Sequence, residues 1–483
     1  MAQPARTLLG ILATGAALAL APTPAPAQSP PPPAPNQDVP GMEGEWDGTL
    51  DAGGNKLRLV LHVHKGAAGE TAATMDSVDQ KANGIPVTGL AKAGDKVSFV
   101  IPPIGGKYDG TLAGDGQSIK GWWLQGAALP LTWTRRAPGA AAPVANAEAK
   151  RPQTPQPPFP YREEQVSFAS PKASKVMLAG TLTLPPKPLG AVVLIAGSGP
   201  QTRDEEVAGH KVFWVLADYL SRHGIAVLRY DKRGIGASTG DYAHATSFDF
   251  ADDAEAAVAY LRGRPDIAPH PIGIIGHSEG GLVAPIVADA DPKVAFVVLM
   301  AGPGENGFKL LLEQGDLILK AEGASDHDVA ESHTIRAALF AAVRDQADPE
   351  KRNAAARAVI AATPAAKAMT PAVIDAQVRS VSNDWFHNFF VYDPVPALTK
   401  VRVPVLAVAG SRDLQVPPEE NLAAIRAALA HNRHVTIVEL PGLNHLFQPA
   451  TTGSISEYGK IEWTMAPEAL TTITDWVVKQ TRR

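Results

Sequence analysis

The segment IGIIGHSEGGLVAPIVADA, residues 272–290, gives the strongest indication of the fold of this chain. Its first five residues are an unbroken apolar run, which predicts a strand buried on both faces. The run leads into GHSEG, residues 276–280, which matches the pattern G-x-S-x-G and is followed by a helical pattern. A serine at such a strand–turn–helix corner lies on a strained backbone with its hydroxyl exposed. The segment therefore predicts Ser278 as a nucleophile, although the pentapeptide alone would also fit a tight turn. Pro285 is expected to kink the helix or end it early.

Partners for Ser278 follow the next predicted strands. A serine hydroxyl is a poor nucleophile near neutral pH and needs a base. In this topology the acid and then the histidine come after the serine in chain order. VPVLAVAG-SRD places Asp413 just past one strand, and HVTIVELPGLNH places His445 just past the next. We expect His445 to take the Ser278 proton while Asp413 fixes its tautomer. Taken singly, the aspartate could cap a helix and the histidine could be an ordinary loop residue.

An oxyanion hole needs two backbone N–H groups that point at one position. One is expected from Glu279, the residue after the nucleophile. The other is expected from GSGPQTRD, residues 197–204, where Ser198 is the first choice and Gly199 the second. Pro200 has no N–H. A tight glycine turn would explain the same residues.

The C-terminal two thirds of the chain alternates buried strands with helices. Its apolar runs end in Gly or Asp and lack polar alternation, which is typical of strands covered on both faces. Such a pattern predicts an α/β fold with a mostly parallel sheet and helices on both sides. The runs are residues 191–197, 225–231, 272–276, 294–302 and 403–410.

Residues 303–398 interrupt this alternation with a long stretch at helical spacing. They predict a helical insertion that acts as a lid. The insertion ends in NDWFHNFFVYDP, the densest aromatic segment of the chain. We expect Trp385, Phe386 and Phe389 to form a wall of the substrate pocket. Packing of the lid onto the sheet would explain the same aromatic residues.

The N-terminal part has a different texture. Residues 1–27 resemble a secretory signal peptide with an Ala-x-Ala cleavage site, and their apolar run is shorter than the roughly 20 residues that span a bilayer. A Pro-rich linker (28–40) leads to a small all-β domain (41–136), where Gly pairs predict hairpin turns. WDGTL and YDGTL suggest two similar strand–turn units, and WTRR is expected to close the domain. A Pro/Ala-rich spacer (137–160) precedes the α/β domain (161–483).

Composition narrows the functional classes. The chain has 483 residues, a formal net charge of −5 and no cysteine. The scattered basic residues give no reason to expect nucleic acid, and the absence of cysteine excludes disulfides and thiolate metal sites. His62 and His64 share a strand face without carboxylates at ligand spacing, so we expect no metal and no cofactor. We expect a periplasmic or secreted bacterial protein with no membrane span in its mature form, and its oligomeric state stays open.

The motifs together resemble the α/β-hydrolase superfamily. GSGPQTRD, RYDKRGIGAS, GHSEGG, VAGSRDLQVP and LPGLNHLF lie where members of that superfamily carry their motifs. More narrowly, the chain is similar to bacterial esterases and serine aminopeptidase-like hydrolases of unassigned substrate. The family usually has His-Gly in the oxyanion loop, whereas this chain has Ala196-Gly197. The resemblance implies hydrolysis through an acyl-enzyme and a structural role for Asp231.

The leaving group is open at this point. A carboxylesterase acting on small-to-medium acyl esters would use the aromatic segment as an apolar acyl pocket. A serine exopeptidase on short peptides would need a carboxylate for the substrate ammonium, which Glu279 could supply unless it pairs with a nearby Arg. The charged run Arg203–Glu206 could also meet a charged substrate. An acyl thioesterase and a non-enzymatic envelope-binding module are further alternatives.

Overall fold

The computed structural model describes residues 35–52, 55–66, 69–125, 127–137, 139–143, 150–173 and 175–482. The predicted signal peptide and most of the first predicted linker lie outside these residues. The chain divides into two compact units. Of the described residues, the first unit contains those up to 143 together with 353–382, and the second contains those from 150 to 352 and from 383 to 482.

The first unit is built on a closed antiparallel barrel of eight strands. Strands β1 to β8 pair in chain order, and β8 pairs with β1, where Trp133 lies opposite Gly48. WTRR therefore closes the barrel, as the sequence predicts. Trp46, Tyr108 and Trp123 lie in the interior and are 0% exposed, so the barrel is filled by side chains. The strands are β1 (Gly44–Ala52), β2 (Asn55–Lys65), β3 (Thr71–Ser77), β4 (Ala82–Ala93), β5 (Lys96–Ile101), β6 (Gly106–Leu112), β7 (Ser118–Gln125) and β8 (Ala127–Arg135).

Two Asp-Gly pairs that were expected to form turns lie inside strands. Gly48 belongs to β1 and Gly110 to β6. A Cβ on Gly48 would lie 2.8 Å from the Trp133 ring, and one on Gly110 would lie 2.6 Å from the Tyr108 hydroxyl oxygen. The bulk of the interior aromatic residues, and not a turn, requires glycine at these positions. The prediction of two strand–turn units was wrong in this respect.

The second unit contains an eight-stranded sheet in the order β18-β17-β16-β15-β11-β14-β10-β9. Strands β9 and β10 are antiparallel to their neighbours, and the others pair in parallel. A short hairpin, β12 and β13, stands apart. This is the α/β-hydrolase fold that the sequence predicts. The strands are β9 (Arg162–Ala169), β10 (Met177–Leu184), β11 (Gly190–Ile195), β12 (Glu206–Val207), β13 (His210–Lys211), β14 (Ile225–Tyr230), β15 (Ile272–His277), β16 (Val297–Met300), β17 (Val405–Gly410) and β18 (Val435–Leu440).

Helices cover both faces of this sheet. On β11, Val193 and Ile195 join the core on one face, and Val192 and Leu194 join the core on the other. Burial on both sides explains why the strand lacks polar alternation. The α-helices of the described residues are α1 (Val212–Arg222), α2 (Ser247–Arg262), α3 (Glu279–Ala290), α4 (Gly307–Ala321), α5 (Asp326–Arg344), α6 (Pro349–Ala362), α7 (Pro371–Val381), α8 (Asp384–Val391), α9 (Val395–Lys400), α10 (Pro418–Ala428), α11 (Ile455–Tyr458) and α12 (Pro467–Thr481).

The helix after Ser278 continues through Pro285, so the proline does not end it early. A proline inside a helix costs about 3 kcal/mol because it removes one hydrogen bond and crowds the preceding turn. Nine of the twelve residues of α3 are buried. Tertiary packing along the helix offsets the local cost and keeps α3 continuous.

The six helices α4 to α9 lie between β16 and β17, at the position of the predicted insertion. Residues 353–382 of this insertion belong to the first unit. There Val373 and Ala376 of α7 pack against Leu124 and Ala128 of the barrel. The insertion is therefore shared between the two cores.

The C-terminal part of the predicted spacer is fixed to the second unit. The Arg151 guanidinium donates to the backbone carbonyls of Ala208, Gly459 and Ile461. Gln153 donates to the Met465 carbonyl at 2.7 Å. In the part of the chain that the structure describes, no helix is long and apolar enough to cross a membrane.

Candidate active site

Ser278 lies at a sharp turn between β15 and α3. Its backbone has φ 53° and ψ −119°, a conformation that L-residues rarely adopt. A Cβ on Gly276 would lie 2.0 Å from the carbonyl oxygen of Gly280, and one on Gly280 would lie 2.0 Å from that of Ile195. No side chain fits at either position. The glycines of G-x-S-x-G are thus steric requirements of the turn that presents Ser278.

Asp413 and His445 form a buried hydrogen-bonded pair. His445 Nδ1 lies 2.8 Å from Asp413 Oδ2, and the residues are 4% and 2% exposed. The other carboxylate oxygen of Asp413 accepts from the backbone N–H groups of Gln415 and Val416 at 2.8 and 2.9 Å. These bonds fix the carboxylate against Nδ1–H, which leaves Nε2 as the acceptor nitrogen. Helix α10 begins five residues later, so Asp413 does not cap it.

The structure brings His445 close to the turn that carries Ser278, the nucleophile elbow, without a hydrogen bond between the two side chains. The ring of His277, which precedes Ser278, has its centroid 4.8 Å from that of His445. Within the described ranges, the Ser278 hydroxyl makes no hydrogen bond to His445. A base must come within about 3 Å of the proton it removes, and in unliganded enzymes this contact is often longer. Proton transfer from Ser278 to His445 therefore stays a prediction.

The predicted oxyanion donors, Ser198 and Gly199, have free backbone N–H groups among the described residues, whereas the N–H of the neighbouring Gly197 is already hydrogen-bonded. Gly197 N donates to Glu205 Oε1 at 2.6 Å. The N–H groups of Ser198 and Gly199 have no acceptor among the residues that the structure covers, and Glu279 occupies the first turn of α3, where N–H groups lack helical partners. Gln201 bonds the Ser198 and Gly199 carbonyls, which fixes this loop. The oxyanion assignment stays a prediction that this geometry permits.

The Glu279 carboxylate is fully engaged inside the protein. Its Oε2 accepts from Lys232 Nζ at 2.9 Å. Its Oε1 accepts from the Ser247 hydroxyl at 2.7 Å and from the Trp385 indole N–H at 2.6 Å. Glu279 is 2% exposed. The partner is therefore a lysine and not the arginine that was considered from the sequence, and two neutral donors complete the set.

The charged run of the oxyanion loop is also mostly satisfied internally. Arg203 forms a two-bond pair with Asp231, and Asp204 pairs with Arg229. Burial alone would raise the pKa of Asp231, but the Arg203 guanidinium and two backbone N–H groups hold this pKa below its ordinary value. Asp231 is structural, as the resemblance implied. Three of the four charges that were expected to meet a charged substrate are thus used within the protein, since Glu205 bonds Gly197.

The three aromatic residues proposed as a pocket wall lie on α8 but differ in burial. Phe389 is 5% exposed, and a Cβ on Gly307 would touch its ring at 2.3 Å. Phe389 therefore packs within the insertion. Trp385 stacks on Phe389 at 4.8 Å and meets Phe386 edge-on at 4.8 Å. Trp385 and Phe386 are partly exposed, so contact with substrate stays a prediction for these two.

His62 of the barrel does have carboxylates beside it, which spacing along the chain did not reveal. Its Nε2 lies 2.9 Å from Asp76 and its Nδ1 3.3 Å from Glu45, which come from the neighbouring strands. His64, two residues further along β2, is exposed. Among the described residues, no group of three or more His, Asp or Glu side chains could hold a metal ion.

Sequence reasoning missed the supporting roles of three residues: His277, Glu205 and Asn444. His277 Nδ1 lies 2.9 Å from Glu205 Oε1, and its Nε2 lies 3.0 Å from the His445 carbonyl oxygen. Asn444, which is 0% exposed, accepts from the N–H groups of Leu446 and Gln448 and shapes the turn that carries His445. His277 and Asn444 each adjoin a predicted catalytic residue, and this adjacency was the available signal.

Comparisons with known proteins agree with the fold. Residues 210–448 match the family described as serine aminopeptidase, S33. Esterase EstD of Thermotoga maritima is 28% identical over 271 residues, which cover 56% of this chain and 58% of that protein. The chain thus spans little more than half the length of this relative.

Two solved structures are also similar. The Pyrococcus furiosus esterase Pf2001 has a TM-score of 0.41 at 15% identity, covering 70% of this chain and 98% of the esterase. Dienelactone hydrolase from Anabaena variabilis has a TM-score of 0.37 at 18% identity, covering 67% and 98%. The strand order of the second unit and the family match over residues 210–448 support an α/β-hydrolase that is similar to esterases and to serine aminopeptidase-like hydrolases.

Proposed function

We propose that the protein is an exported serine carboxylesterase that cleaves small-to-medium acyl esters through an acyl-enzyme on Ser278. The elbow geometry of Ser278 and the Asp413–His445 pair support a serine mechanism. The relative named an esterase supports ester hydrolysis as the reaction. Export is proposed from residues 1–27 alone, and the mass of the mature protein recovered from the producing cells tests it.

The reaction follows from the roles of the three side chains. Ser278 Oγ attacks the acyl carbon while its proton passes to His445 Nε2. The bond to the leaving alcohol breaks, and His445 returns that proton to the alcohol oxygen. Water then attacks the acyl-enzyme, loses a proton to His445 and releases the carboxylic acid, and the proton returns to Ser278. Asp413 stabilises the imidazolium in both halves, and the N–H groups of Glu279 and Ser198 or Gly199 stabilise the oxyanion.

The hydrogen bonds and ion pair of the Glu279 carboxylate are the observation that favours an ester substrate over a peptide substrate. An aminopeptidase needs a carboxylate that is free to bind the substrate ammonium. Glu279, which adjoins the nucleophile, is already bound by Lys232, Ser247 and Trp385. Freeing it would leave the buried Lys232 without its counter-charge, which is costly. The second candidate, a serine aminopeptidase, is favoured by the family match over residues 210–448.

A substrate panel distinguishes these functions. Purified mature protein and the Ser278→Ala variant are assayed with p-nitrophenyl acetate, butyrate and octanoate beside aminoacyl and dipeptidyl p-nitroanilides and acyl thioesters. Serine-dependent ester turnover with inert anilides is the expected result. Appreciable anilide cleavage would instead establish the peptidase. Absence of turnover on every class would favour a binding role for the barrel unit.

A further inference from the structure

His277 joins three segments of the active site through one buried ring. Its Nδ1 meets Glu205 Oε1 at 2.9 Å, and Glu205 Oε1 also accepts from the N–H of Gly197 in the oxyanion loop. Its Nε2 meets the carbonyl oxygen of His445 at 3.0 Å. The nucleophile elbow, the oxyanion loop and the loop of the catalytic histidine therefore converge on His277. The acyl-transfer steps use neither His277 nor Glu205.

The partners of the ring determine how many protons it carries. A backbone carbonyl oxygen can only accept, so Nε2 must carry a hydrogen. Nδ1 faces a carboxylate oxygen, and two lone pairs would repel each other across 2.9 Å. A proton therefore lies between Nδ1 and Glu205, and since a carboxyl group is ordinarily the stronger acid, this proton is assigned to the ring. We propose that His277 is a buried imidazolium paired with Glu205, and that this pair is a positioning device that fixes the oxyanion loop and the His445 loop to the nucleophile elbow.

Burial makes this pair interdependent. The side chains of His277 and Glu205 are 3% and 1% exposed. Burial alone would lower the pKa of His277, but the charge and hydrogen bond of Glu205, together with the His445 carbonyl and Asp413, raise it above its ordinary value. The titratable groups that act on His277 are Glu205, His445 and Asp413. The second oxygen of Glu205 is buried and has no hydrogen-bond partner among the described residues, so His277 is the cation that compensates this carboxylate.

The same unit contains a matched histidine with a different neighbour. His210 is also buried, and its Nε2 meets the Tyr458 carbonyl oxygen at 2.9 Å. Its Nδ1 meets the Thr464 hydroxyl at 3.1 Å. A hydroxyl can donate, so His210 needs only one proton, and burial lowers the pKa of His210 to about 4. Nδ1 faces a carboxylate in His277 and a hydroxyl in His210. Because of this difference, we expect His277 to be positively charged and His210 to be neutral.

The first test measures protonation and needs no turnover. Full-length protein labelled with ¹⁵N-histidine is examined by NMR at pH 7.5, and His277→Gln and His210→Gln assign the two rings. We expect the imidazolium pattern at both nitrogens of His277 and a neutral Nε2–H tautomer at His210. A neutral His277 at this pH would overturn the proposal, whether or not the protein hydrolyses esters.

The second test measures positioning and rests on the proposed serine hydrolase. Glu205→Gln keeps the shape of the side chain. In the wild type the same oxygen, Oε1, faces both the Gly197 N–H and His277 Nδ1. At that position an amide oxygen can accept from Gly197 but cannot donate to a neutral His277, and an amide nitrogen can do only the reverse. We expect kcat to fall about 100-fold with KM nearly unchanged, which is the size of effect from a small misplacement of catalytic groups. The rate at which a phosphonate probe reacts with Ser278 should fall in parallel, independently of the natural substrate. Exposed Glu206→Gln, one residue along, is the matched control and should behave as wild type.

The pH profile separates positioning from a general loss of structure. In the wild type, kcat should fall at alkaline pH as His277 loses its proton and the Glu205 charge becomes uncompensated. Glu205→Gln should lack this alkaline fall. A Glu205→Gln protein whose His277 is neutral but whose kcat and alkaline profile match the wild type would refute the positioning role.

Discussion

The indole N–H of Trp385 donates a 2.6 Å hydrogen bond to Oε1 of Glu279, the residue next to Ser278. This bond joins α8 of the helical insertion to the first turn of the elbow helix. The same tryptophan stacks on Phe389 within the insertion. The aromatic segment thus packs and binds the elbow at once, so the two interpretations of its aromatic residues do not exclude each other.

Replacing Trp385 with Phe tests this bond. The ring and its stacking stay, but the hydrogen bond to a charged acceptor is lost. Such bonds contribute about 1.5–3 kcal/mol, so calorimetry should show a loss of that order, and KM for the octanoate ester should rise more than KM for acetate. The matched control is Trp476→Phe, whose indole bonds only an exposed Thr436 hydroxyl at 3.2 Å and should cost under about 0.5 kcal/mol. Equal effects of the two substitutions would contradict the assignment.

A double-mutant cycle tests the buried ion pair between Lys232 and Glu279. Lys232 and Glu279 have side chains that are 4% and 2% exposed. Lys232→Met strands a buried carboxylate and should cost about 3–5 kcal/mol. Adding Glu279→Gln removes that charge and should restore a substantial part of the loss, because the amide oxygen can still accept from Ser247 and Trp385. Thermal unfolding of the four full-length proteins measures the coupling, and additive losses would show that the charges do not interact.

Asp413→Asn tests the orientation of the base. Asp413 Oδ2 holds the Nδ1–H of His445, and an amide nitrogen at that position would favour the wrong tautomer. In the serine protease triad this change lowers kcat about 10⁴-fold with the geometry intact, and we expect a loss approaching that size. Exposed Asp475→Asn is the matched control for removing a charge. Ester turnover close to wild type in Asp413→Asn would place the acid elsewhere.

The elbow was predictable from sequence because its requirements are local. Gly276 and Gly280 exclude side chains through contacts set within a few residues of Ser278 and the adjacent strand. The supports of the site were not predictable, since they join distant positions: His277 bonds Glu205 across 72 residues and His445 across 168. The periodicity of a sequence does not indicate which two polar side chains will form a hydrogen bond at the edge of a sheet.

The insertion illustrates the same limit. Helical spacing predicts that residues 303–398 form helices. It does not identify the core that each helix covers. Val373 and Ala376 of α7 join Leu124 and Ala128 of the barrel unit, whereas Leu310 and Phe389 stay in the second unit. Only the tertiary structure separates these cases.

The pH dependence of stability should carry the signature of His210. Burial lowers the pKa of His210 from 6.5 to about 4, so between these values the unfolded chain binds a proton that the folded chain does not. Stability from this residue is complete above pH 6.5 and is lost as the pH falls towards 4. The full difference amounts to about 3 kcal/mol.

Substituting His210 isolates this contribution. A glutamine can still donate to the Tyr458 carbonyl but does not titrate, so the deficit of His210→Gln relative to wild type should be largest at pH 7.5 and shrink towards pH 4.5. Unfolding transitions of the full-length protein at several pH values measure this difference, with exposed His431→Gln as a control whose offset should be close to zero throughout. His277 has the opposite sign: its pKa is raised, so its stabilisation is present below pH 6.5 and is lost as the pH rises through the folded value. A deficit for His210→Gln that is constant from pH 7.5 to 4.5 would mean that this buried ring does not resist protonation.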